Sequence, residues 1–218
     1  MFDNYYAKKL YPLQDKILSV IGSLETDFYL SGGTALSRFY LNHRYSDGLD
    51  FYQNDKPEFE SDTQSIRESL DKIYKLQILL KEKKLFMVNI IDTEANLKLK
   101  FVNDVEAYYG SPNSHKIFPK VDNLENILAN KIKTVKVRND PKDLADIIHI
   151  SRKKKINWSK IFYTDKSKAA GLFPPMMARI IAEMDISRLA DLKWVGKFRF
   201  SDYEIEREKL VNEIVGLE

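Results

Sequence analysis

The stretch FYLSGGTALSRFYLNHRYSDGLDFY, residues 28–52, decides the fold of this chain. Its aromatic and aliphatic beginning, residues 28–30, predicts a buried strand that ends at the glycine pair Gly32-Gly33. The residues from Thr34 to Leu41 then predict a helix. Glycine has no side chain, so backbone N–H groups at the start of this helix can approach an anion closely, and the helix dipole adds to the attraction. The turn is therefore a predicted phosphate contact.

A second predicted strand, Leu49 to Tyr52, carries Asp50 between two apolar residues. An ionised carboxylate is costly in apolar surroundings unless a metal ion or a basic side chain accompanies it. The basic alternative is a salt bridge to Arg44. A carboxylate close to a phosphate-binding turn is otherwise typical of a site where a divalent metal neutralises a nucleotide triphosphate.

The sequence GGTALSRFYLNHRYSDGLDF resembles the first motif of the AbiEii/AbiGii-type toxins. These toxins are a branch of the DNA polymerase β-like nucleotidyltransferase superfamily and belong to bacterial toxin–antitoxin and abortive-infection systems. The match is specific, because GGTAL, His43-Arg44, Ser46 and Leu49-Asp50-Phe51 occur together in the family's order. The resemblance implies an α/β (α+β) fold in which a small mixed-sheet nucleotidyltransferase core is followed by a helical C-terminal part.

The same resemblance implies an enzyme that transfers a nucleotide from an NTP to an acceptor such as the 3′ end of a tRNA, with Mg²⁺ or Mn²⁺ as cofactor. NTP, an RNA acceptor and a cognate antitoxin protein are the implied partners. Asp50 and Asp47 are the implied metal ligands. The residues implied to contact the nucleotide are Gly32, Gly33, Thr34, Arg44, Lys131 and Asp146. For Thr34, capping of the helix through its hydroxyl is an equal alternative.

The acidic strand departs from the family pattern at Gly48. The family places two aspartates one residue apart, so that both side chains face the same metal. Gly48 stands at the first of these positions, and Asp47 lies one residue earlier. A bulge at Gly48, in a turn with positive φ, would bring Asp47 back toward the metal; otherwise the site has lost a ligand. We favour the hypothesis that metal binding is impaired.

The third carboxylate of the family, which acts as base toward the attacking hydroxyl, is expected within LKLKFVND. The corresponding position is Lys100, so this motif is irregular as well. Asp104 lies on the same face as Lys98 and Lys100 if the strand continues that far, and it is the predicted substitute. An Asx turn at the strand end is the structural alternative for Asp104.

Two further segments, LENILANKIKTVKVR and NDPKDLADIIHI, resemble the remaining motifs of the family. The resemblance implies that Lys131 reaches the triphosphate as an exposed, catalytic lysine that contributes little to stability. Asp143 and Asp146 are three residues apart and share one helix face. Asp143 is implied to position the lysine and to support catalysis. The structural alternative is a cluster of acids that stabilises the helix dipole after Pro141.

Composition limits the possible classes of protein. The chain has 218 residues and no cysteine, which excludes disulfides and thiolate metal sites. Its net charge of +3 is too small to indicate nucleic-acid binding by itself. The sequence shows no apolar segment typical of a signal peptide or a membrane span, so we expect a cytoplasmic protein with no membrane partner.

The remaining elements are predicted from periodicity. Apolar residues at helical spacing predict a helix from Tyr5 to Ile21, and another helix is predicted over 57–82. The predicted strands are Leu85 to Ile91 and Leu97 to Val102. After Pro119 the predicted helices are 122–138, 141–154, 157–165, 174–185 and 202–215. We expect a nucleotidyltransferase core, 1–120, and a helical part, 121–218, that completes the active-site cleft.

The two irregular acidic positions support a second hypothesis. A degenerate nucleotidyltransferase could bind nucleotide, RNA or a partner protein without chemistry, because Gly48 and Lys100 replace carboxylates. A purely structural helical adaptor would explain the C-terminal half but not GGTAL followed by HRYSDGLDF. The sequence therefore predicts a nucleotidyltransferase whose metal site is in question.

Overall fold

The structure is a computed structural model that describes residues 2–217, so Met1 and Glu218, the outermost residues of the two predicted domains, lie outside it. The described residues form two compact units. The first comprises residues 2–35, 45–106 and 111–122, and the second comprises 36–44, 107–110 and 123–217. The main division after residue 122 lies close to the predicted boundary, but two short earlier segments also belong to the second unit.

The first unit contains a five-stranded mixed sheet with the strand order β1-β2-β5-β4-β3. Strands β2 and β5 run parallel, and the other neighbouring pairs are antiparallel. This sheet confirms the predicted α/β class, and the pairing of β1 with β2 confirms that the two strands of the first motif are neighbours. The strands are β1 (Tyr29–Ser31), β2 (Leu49–Asn54), β3 (Lys75–Glu82), β4 (Leu85–Ile91) and β5 (Asn96–Asp104).

One face of the sheet forms the core of this unit. The predicted alternation in β5 is confirmed, since Leu97, Leu99 and Phe101 are buried while Lys98 is exposed. Phe101 stacks on Phe51 of β2 with ring centroids 5.1 Å apart. The N-terminal helical region also contributes buried side chains. It comprises α1 (Phe2–Tyr5), a π-helical segment (Tyr6–Leu10) and α2 (Tyr11–Gly22).

The helix predicted over residues 57–82 is wrong in its second half. Helix α4 ends at Asp71, because it spans Phe59–Asp71, and β3 follows from Lys75 to Glu82. Strand β3 lies at the edge of the sheet and pairs only with β4 among the strands described. Its side chains are mostly exposed on both faces, so its sequence lacks the alternation that indicates a half-buried strand.

The second unit is helical, as predicted. Asn123 begins α5 by accepting a hydrogen bond from the Asn126 backbone N–H, and Asp140 caps α6 in the same way ahead of Pro141. Asn139, with φ 46°, ends α5. Helices of this unit are α5 (Leu124–Arg138), α6 (Pro141–Lys153), α7 (Trp158–Tyr163), α8 (Pro174–Glu183) and α9 (Phe200–Val215), with a 3₁₀ helix at Ser187–Asp191. Within residues 2–217, no helix has both the length and the apolarity that crossing a membrane requires.

The chain leaves β1 through Gly32, which has φ +72° and begins α3 (Gly32–Leu36). A π-helical segment, Ser37–Leu41, continues this predicted helix. A Cβ atom at Gly32 would lie 2.7 Å from Oδ2 of Asp50 and 3.3 Å from its Cβ. Glycine is therefore favoured at position 32 for two reasons. The backbone conformation is one that residues with a Cβ rarely adopt, and the Asp50 carboxylate occupies the space where a side chain would lie.

We predict that Gly32→Ala lowers the free energy of unfolding more than Gly171→Ala. Gly171 has φ +77° and nothing within 4 Å of an added Cβ, so it reports the cost of conformation alone, about 1 to 2 kcal/mol. Gly32→Ala should cost about 1 to 3 kcal/mol more because of the contact with Asp50. Urea denaturation measures both values. Addition of Asp50→Ala should recover the excess, and equal losses in the two glycine variants would contradict the contact.

Candidate functional site

The register of the first unit places Ser31, Asp50, Lys100 and Met87 in one row across four strands. Side chains of directly paired residues lie on the same face of a sheet. We call this side of the sheet the Asp50 face. It is the side opposite the buried Leu49, Phe51, Leu99 and Phe101.

The carboxylate of Asp50 is half-buried, and it leans toward Gly32 on the β1 side of its strand. Its side chain has no hydrogen-bond or ion-pair partner within residues 2–217. The alternative salt bridge between Asp50 and Arg44 is not formed, because the Arg44 guanidinium binds Asp146 instead. A partly desolvated carboxylate without a partner is costly, so Asp50 is available for a ligand.

Thr34 holds the loop that precedes β2. Its buried hydroxyl donates to the Gly48 carbonyl and is hydrogen-bonded to the Ser46 hydroxyl over 2.8 Å. These contacts differ from the helix cap considered for Thr34, and its phosphate contact stays a prediction. The predicted nucleotide contacts of the Gly32 and Gly33 backbone also stay predictions.

Asp47 belongs to the same loop, and its side chain is exposed. The Tyr6 hydroxyl donates a hydrogen bond to its carboxylate, and Gln14 donates to its backbone carbonyl over 3.3 Å. Burial, with help from Asp47, raises the pKa of Tyr6, so the phenol keeps the proton that it donates. The Asp47 carboxylate is therefore engaged with the N-terminal helical region.

The bulge that would return Asp47 to the metal is absent from the paired residues of β2. This strand begins at Leu49 and pairs with β1 and β5 in unbroken register. Gly48 lies just before it and is not among the residues with positive φ, so the positive φ considered with the bulge is not observed. What Gly48 does provide is space, because a Cβ there would lie 3.1 Å from the Lys98 carbonyl.

The donor atoms of this face do not fit a resident divalent metal ion. Mg²⁺ prefers several oxygen ligands, and Asp50 is the one carboxylate in its row. Lys100 occupies the neighbouring position, and an ammonium about 5 Å from a divalent ion repels it by roughly 2 to 7 kcal/mol, depending on the effective dielectric constant. Among the described residues no group of three or more Asp, Glu or His side chains could hold a metal ion.

Asp104 is not placed to replace the missing carboxylate. It does lie on the same face as Lys98 and Lys100, as predicted, because β5 extends to Asp104. The register pairs it with Asn54, however, four residues along β2 from Asp50. At about 3.3 Å per residue this separates the two by roughly 13 Å, which is too far for them to act on the same atoms.

Asp122 is a buried carboxylate that the sequence analysis missed. The Ser31 hydroxyl donates to it over 2.6 Å, and Ser31 pairs with Asp50. Backbone hydrogen bonds at Leu30 hold the segment around Asp122 alongside β1. The residues around Asp122 indicated only the start of a helix, because Asp122 precedes the cap residue of α5.

In the second unit, α5 and α6 form a buried network of charges. The Lys131 ammonium lies 2.7 Å from Asp143 and 2.5 Å from Asp146. Arg44 donates two hydrogen bonds of 2.8 Å to Asp146, one to each carboxylate oxygen. Arg138 likewise makes a bidentate contact with Asp143, donating one hydrogen bond to each carboxylate oxygen. The structure thus brings together four predicted site residues, Arg44, Lys131, Asp143 and Asp146, and their assigned roles stay predictions.

The expectation that Lys131 is exposed is wrong, because only 5% of it is accessible. Burial opposes its charge, but Asp146 and Asp143 outweigh that effect and raise the pKa of Lys131. Burial likewise opposes ionisation of Asp146, yet Arg44 and Lys131 hold the pKa of Asp146 well below its usual value. Lys131 and Asp146 therefore stay charged inside the unit, since each has a partner of opposite charge.

Two histidines border this network. His43 contacts Asp146 through Nε2 at 2.8 Å, and burial nevertheless lowers the pKa of His43. His149 pairs with the Tyr203 hydroxyl at 2.7 Å, and burial, aided by His43 and Arg152, lowers the pKa of His149 to about 3. Both rings are therefore neutral near neutral pH.

The chain was compared with models of known protein families, with curated proteins and with solved structures. Residues 17–194 match the family model described as Nucleotidyl transferase AbiEii toxin, Type IV TA system. No curated protein matches the chain.

Two solved structures share the fold, and a third gives a lower score. JHP933 from Helicobacter pylori superposes with a TM-score of 0.62 at 18% identity over 95% of this chain and 91% of that one. A Helicobacter pylori protein provisionally assigned as a nucleotidyltransferase gives a TM-score of 0.61 at 18% identity over 95% of each chain. The Megavirus polyadenylate synthase gives 0.46 at 11% identity over 75% of this chain and 35% of that one.

We predict that Lys131→Ala lowers the free energy of unfolding by about 3 kcal/mol, because it leaves Asp143 and Asp146 with less compensating charge in a buried site. Chemical denaturation measures this loss. Lys136→Ala, at an exposed position of the same helix, is the matched control and should change stability by less than about 0.5 kcal/mol. Similar small effects in both variants would contradict the buried network.

Stability should fall as the pH is lowered from 6.5 toward 4. The pKa of His149 is about 3 in the folded chain and about 6.5 in the unfolded chain. Between these two values the unfolded chain binds a proton that the folded chain does not, so protonation of His149 favours unfolding as the pH falls. His43, whose pKa is also lowered, acts in the same direction. Denaturation at several pH values should show a shallower slope in His149→Gln than in the unchanged chain. An unchanged slope would contradict the burial of a neutral His149.

Proposed function

We propose, since the chain belongs to the AbiEii nucleotidyltransferase toxin family, that it binds an NTP on the Asp50 face and transfers its nucleotide to an acceptor hydroxyl. The acceptor we propose is RNA, such as the 3′ end of a tRNA. The family description also supports a cognate antitoxin as partner. Family membership supports the transfer, whereas the choice of acceptor rests on the resemblance alone.

The observation that supports this proposal is the position of the Asp50 carboxylate and its lack of a partner. Its carboxylate is half-buried, lies against Gly32, and has no partner within residues 2–217. A carboxylate held in this way can accept the proton of an attacking hydroxyl. The hydroxyl oxygen then bonds to the α-phosphorus, the bond from that phosphorus to the bridging oxygen breaks, and its electron pair leaves with pyrophosphate.

Nucleotidyltransferases generally use an NTP together with a divalent metal ion. Because Asp50 is the one carboxylate in its row and Lys100 is its direct neighbour, we propose that Mg²⁺ or Mn²⁺ enters as part of the NTP complex rather than as a resident ion. The residues of the chain then have to position the triphosphate and remove the proton.

The resemblance assigns Lys131 and Asp143 to catalysis and Arg44 and Asp146 to nucleotide contact, and we keep these roles as proposals. The ion pairs of the second unit support a more specific role for the two aspartates. They fix the Lys131 ammonium and the Arg44 guanidinium through short, charged hydrogen bonds. A lysine held so firmly has its position set in advance of any ligand.

A second candidate function is binding without transfer. It is favoured by the residues beside Asp50, because Gly48 and Lys100 stand where the resemblance expects carboxylates. In this case the chain would be a degenerate nucleotidyltransferase that binds nucleotide, RNA or a partner protein. The same Asp50 face would serve as its nucleotide site.

Labelling of tRNA with each of the four α-radiolabelled NTPs separates the candidates. Under the first, the unchanged chain labels tRNA, and Asp50→Asn lowers the rate by about 100-fold or more because the proton acceptor is lost. Asp104→Asn is the matched control and should retain the rate, since Asp104 lies near the far end of the strand pair.

Absence of label from the unchanged chain with every NTP would contradict transfer to this acceptor. If the paired variant Gly48→Asp with Lys100→Asp then gains label, the second candidate is correct and the lost carboxylates are the reason. The stability of each variant has to be measured alongside, because a side chain at position 48 meets the Lys98 carbonyl at 3.1 Å.

A further inference from the structure

Two lysines of β5 share this face of the sheet with Asp50. Lys100 is the direct neighbour of Asp50 on β5, and Lys98 lies on the same face two residues earlier. Lys98 is also the neighbour of Gly48, since its carbonyl would lie 3.1 Å from a Cβ at that position. Two lysines of β5 thus lie beside the part of the chain that carries Gly48 and Asp50.

Neither ammonium is neutralised by the described part of the chain. Within residues 2–217, the side chains of Lys98 and Lys100 make no hydrogen bond or ion pair, although Lys100 is half-buried. The Asp50 carboxylate does not pair with Lys100 because it leans to the other side of its strand, toward Gly32. A partly buried lysine without a partner is costly, so an anionic ligand on this face would stabilise it.

Gly48 has no carboxylate, although the resemblance expects one at this position. An aspartate at this position would add a negative charge next to the backbone of Lys98. With glycine there, the chain adds no negative charge at this position. The irregular positions 48 and 100 therefore act in the same direction, because both make the face more positive.

We propose that the ammonium groups of Lys98 and Lys100 bind the triphosphate of an NTP directly, so that nucleotide binding at the Asp50 face needs no divalent cation. The proposal rests on the NTP site proposed above and adds its charge requirement. Lysine binds phosphate as a point charge with several donors, which suits a flexible triphosphate. The two lysines supply the positive charge that a metal ion would otherwise bring next to Asp50.

Calorimetric titration of the full chain with each of the four NTPs, once in EDTA and once in excess Mg²⁺, tests this. We expect binding of at least one NTP in EDTA, and weaker binding in Mg²⁺, because the bound ion cancels part of the triphosphate charge. Lys100→Met should lower the affinity in EDTA about tenfold, the effect of losing one charged hydrogen bond. Lys98→Met should weaken it as well.

Lys75→Met is the matched control, since it removes a lysine from β3 at the other edge of the same sheet, and it should leave the affinity unchanged. Thermal unfolding of each variant shows that the fold is retained. The paired variant Gly48→Asp with Lys100→Asp should reverse the dependence, so that NTP binds in Mg²⁺ and not in EDTA.

The outcomes separate this inference from the proposed function. Binding that requires Mg²⁺ in the unchanged chain would overturn the role of the lysines and leave the NTP site standing. Binding in EDTA that is equally strong in Lys98→Met and Lys100→Met would also overturn it, because the triphosphate would then lie elsewhere. No binding of any NTP in either condition would overturn both the inference and the NTP site itself.

Discussion

The contact between Gly32 and the Asp50 carboxylate is the constraint on which the candidate site depends. Strand β1 pairs Ser31 with Asp50 and then turns at once into α3 through a residue with positive φ. This turn leaves space for the carboxylate on the β1 side, and Asp50 leans into it. As a result Asp50 stays apart from Lys100, although the two are direct neighbours across β2 and β5. One glycine thus keeps both an anion and a cation unpaired on the same sheet face.

The second unit differs, since it buries four charged side chains and pairs them with one another: Arg44, Lys131, Asp143 and Asp146. Asp143 and Asp146 receive three basic side chains between them, from Lys131, Arg44 and Arg138. Pairs of this kind repay the cost of desolvation only when their hydrogen bonds are well aligned, and the two-pronged arginine contacts supply that alignment. The network therefore connects α5 with α6, while the cost of desolvating its charges offsets much of the attraction between them.

Local patterns in the sequence were sufficient for the parts of the fold that depend on neighbouring residues. GGTAL followed by Asp50 predicted adjacent strands joined through a glycine turn, and the alternation in β5 predicted its buried face. Strand β3 could not be predicted in this way, because an exposed edge strand carries no alternation. The burial of Lys131 was equally hidden, since it follows from Asp143 and Asp146, which lie on another helix. Gly48 was recognised as unusual, but only the register of β2 showed that it lies in no bulge.

The side chain at position 100 can change without a change in the pairing of β5, whereas a side chain at position 48 would have its Cβ 3.1 Å from the Lys98 carbonyl. Gly48 lies before β2 and Lys100 within the regular pairing of β5, so neither residue is needed to form the sheet. A nucleotide site needs positive charge near the phosphates of its ligand. Either a metal ion or a basic side chain can supply that charge. Carboxylates at these positions would recruit a metal ion, whereas a glycine and a lysine supply a cation from the chain itself. Under the proposed function, the sheet would position the triphosphate, and the residues at positions 48 and 100 would determine how strongly its binding depends on a metal ion.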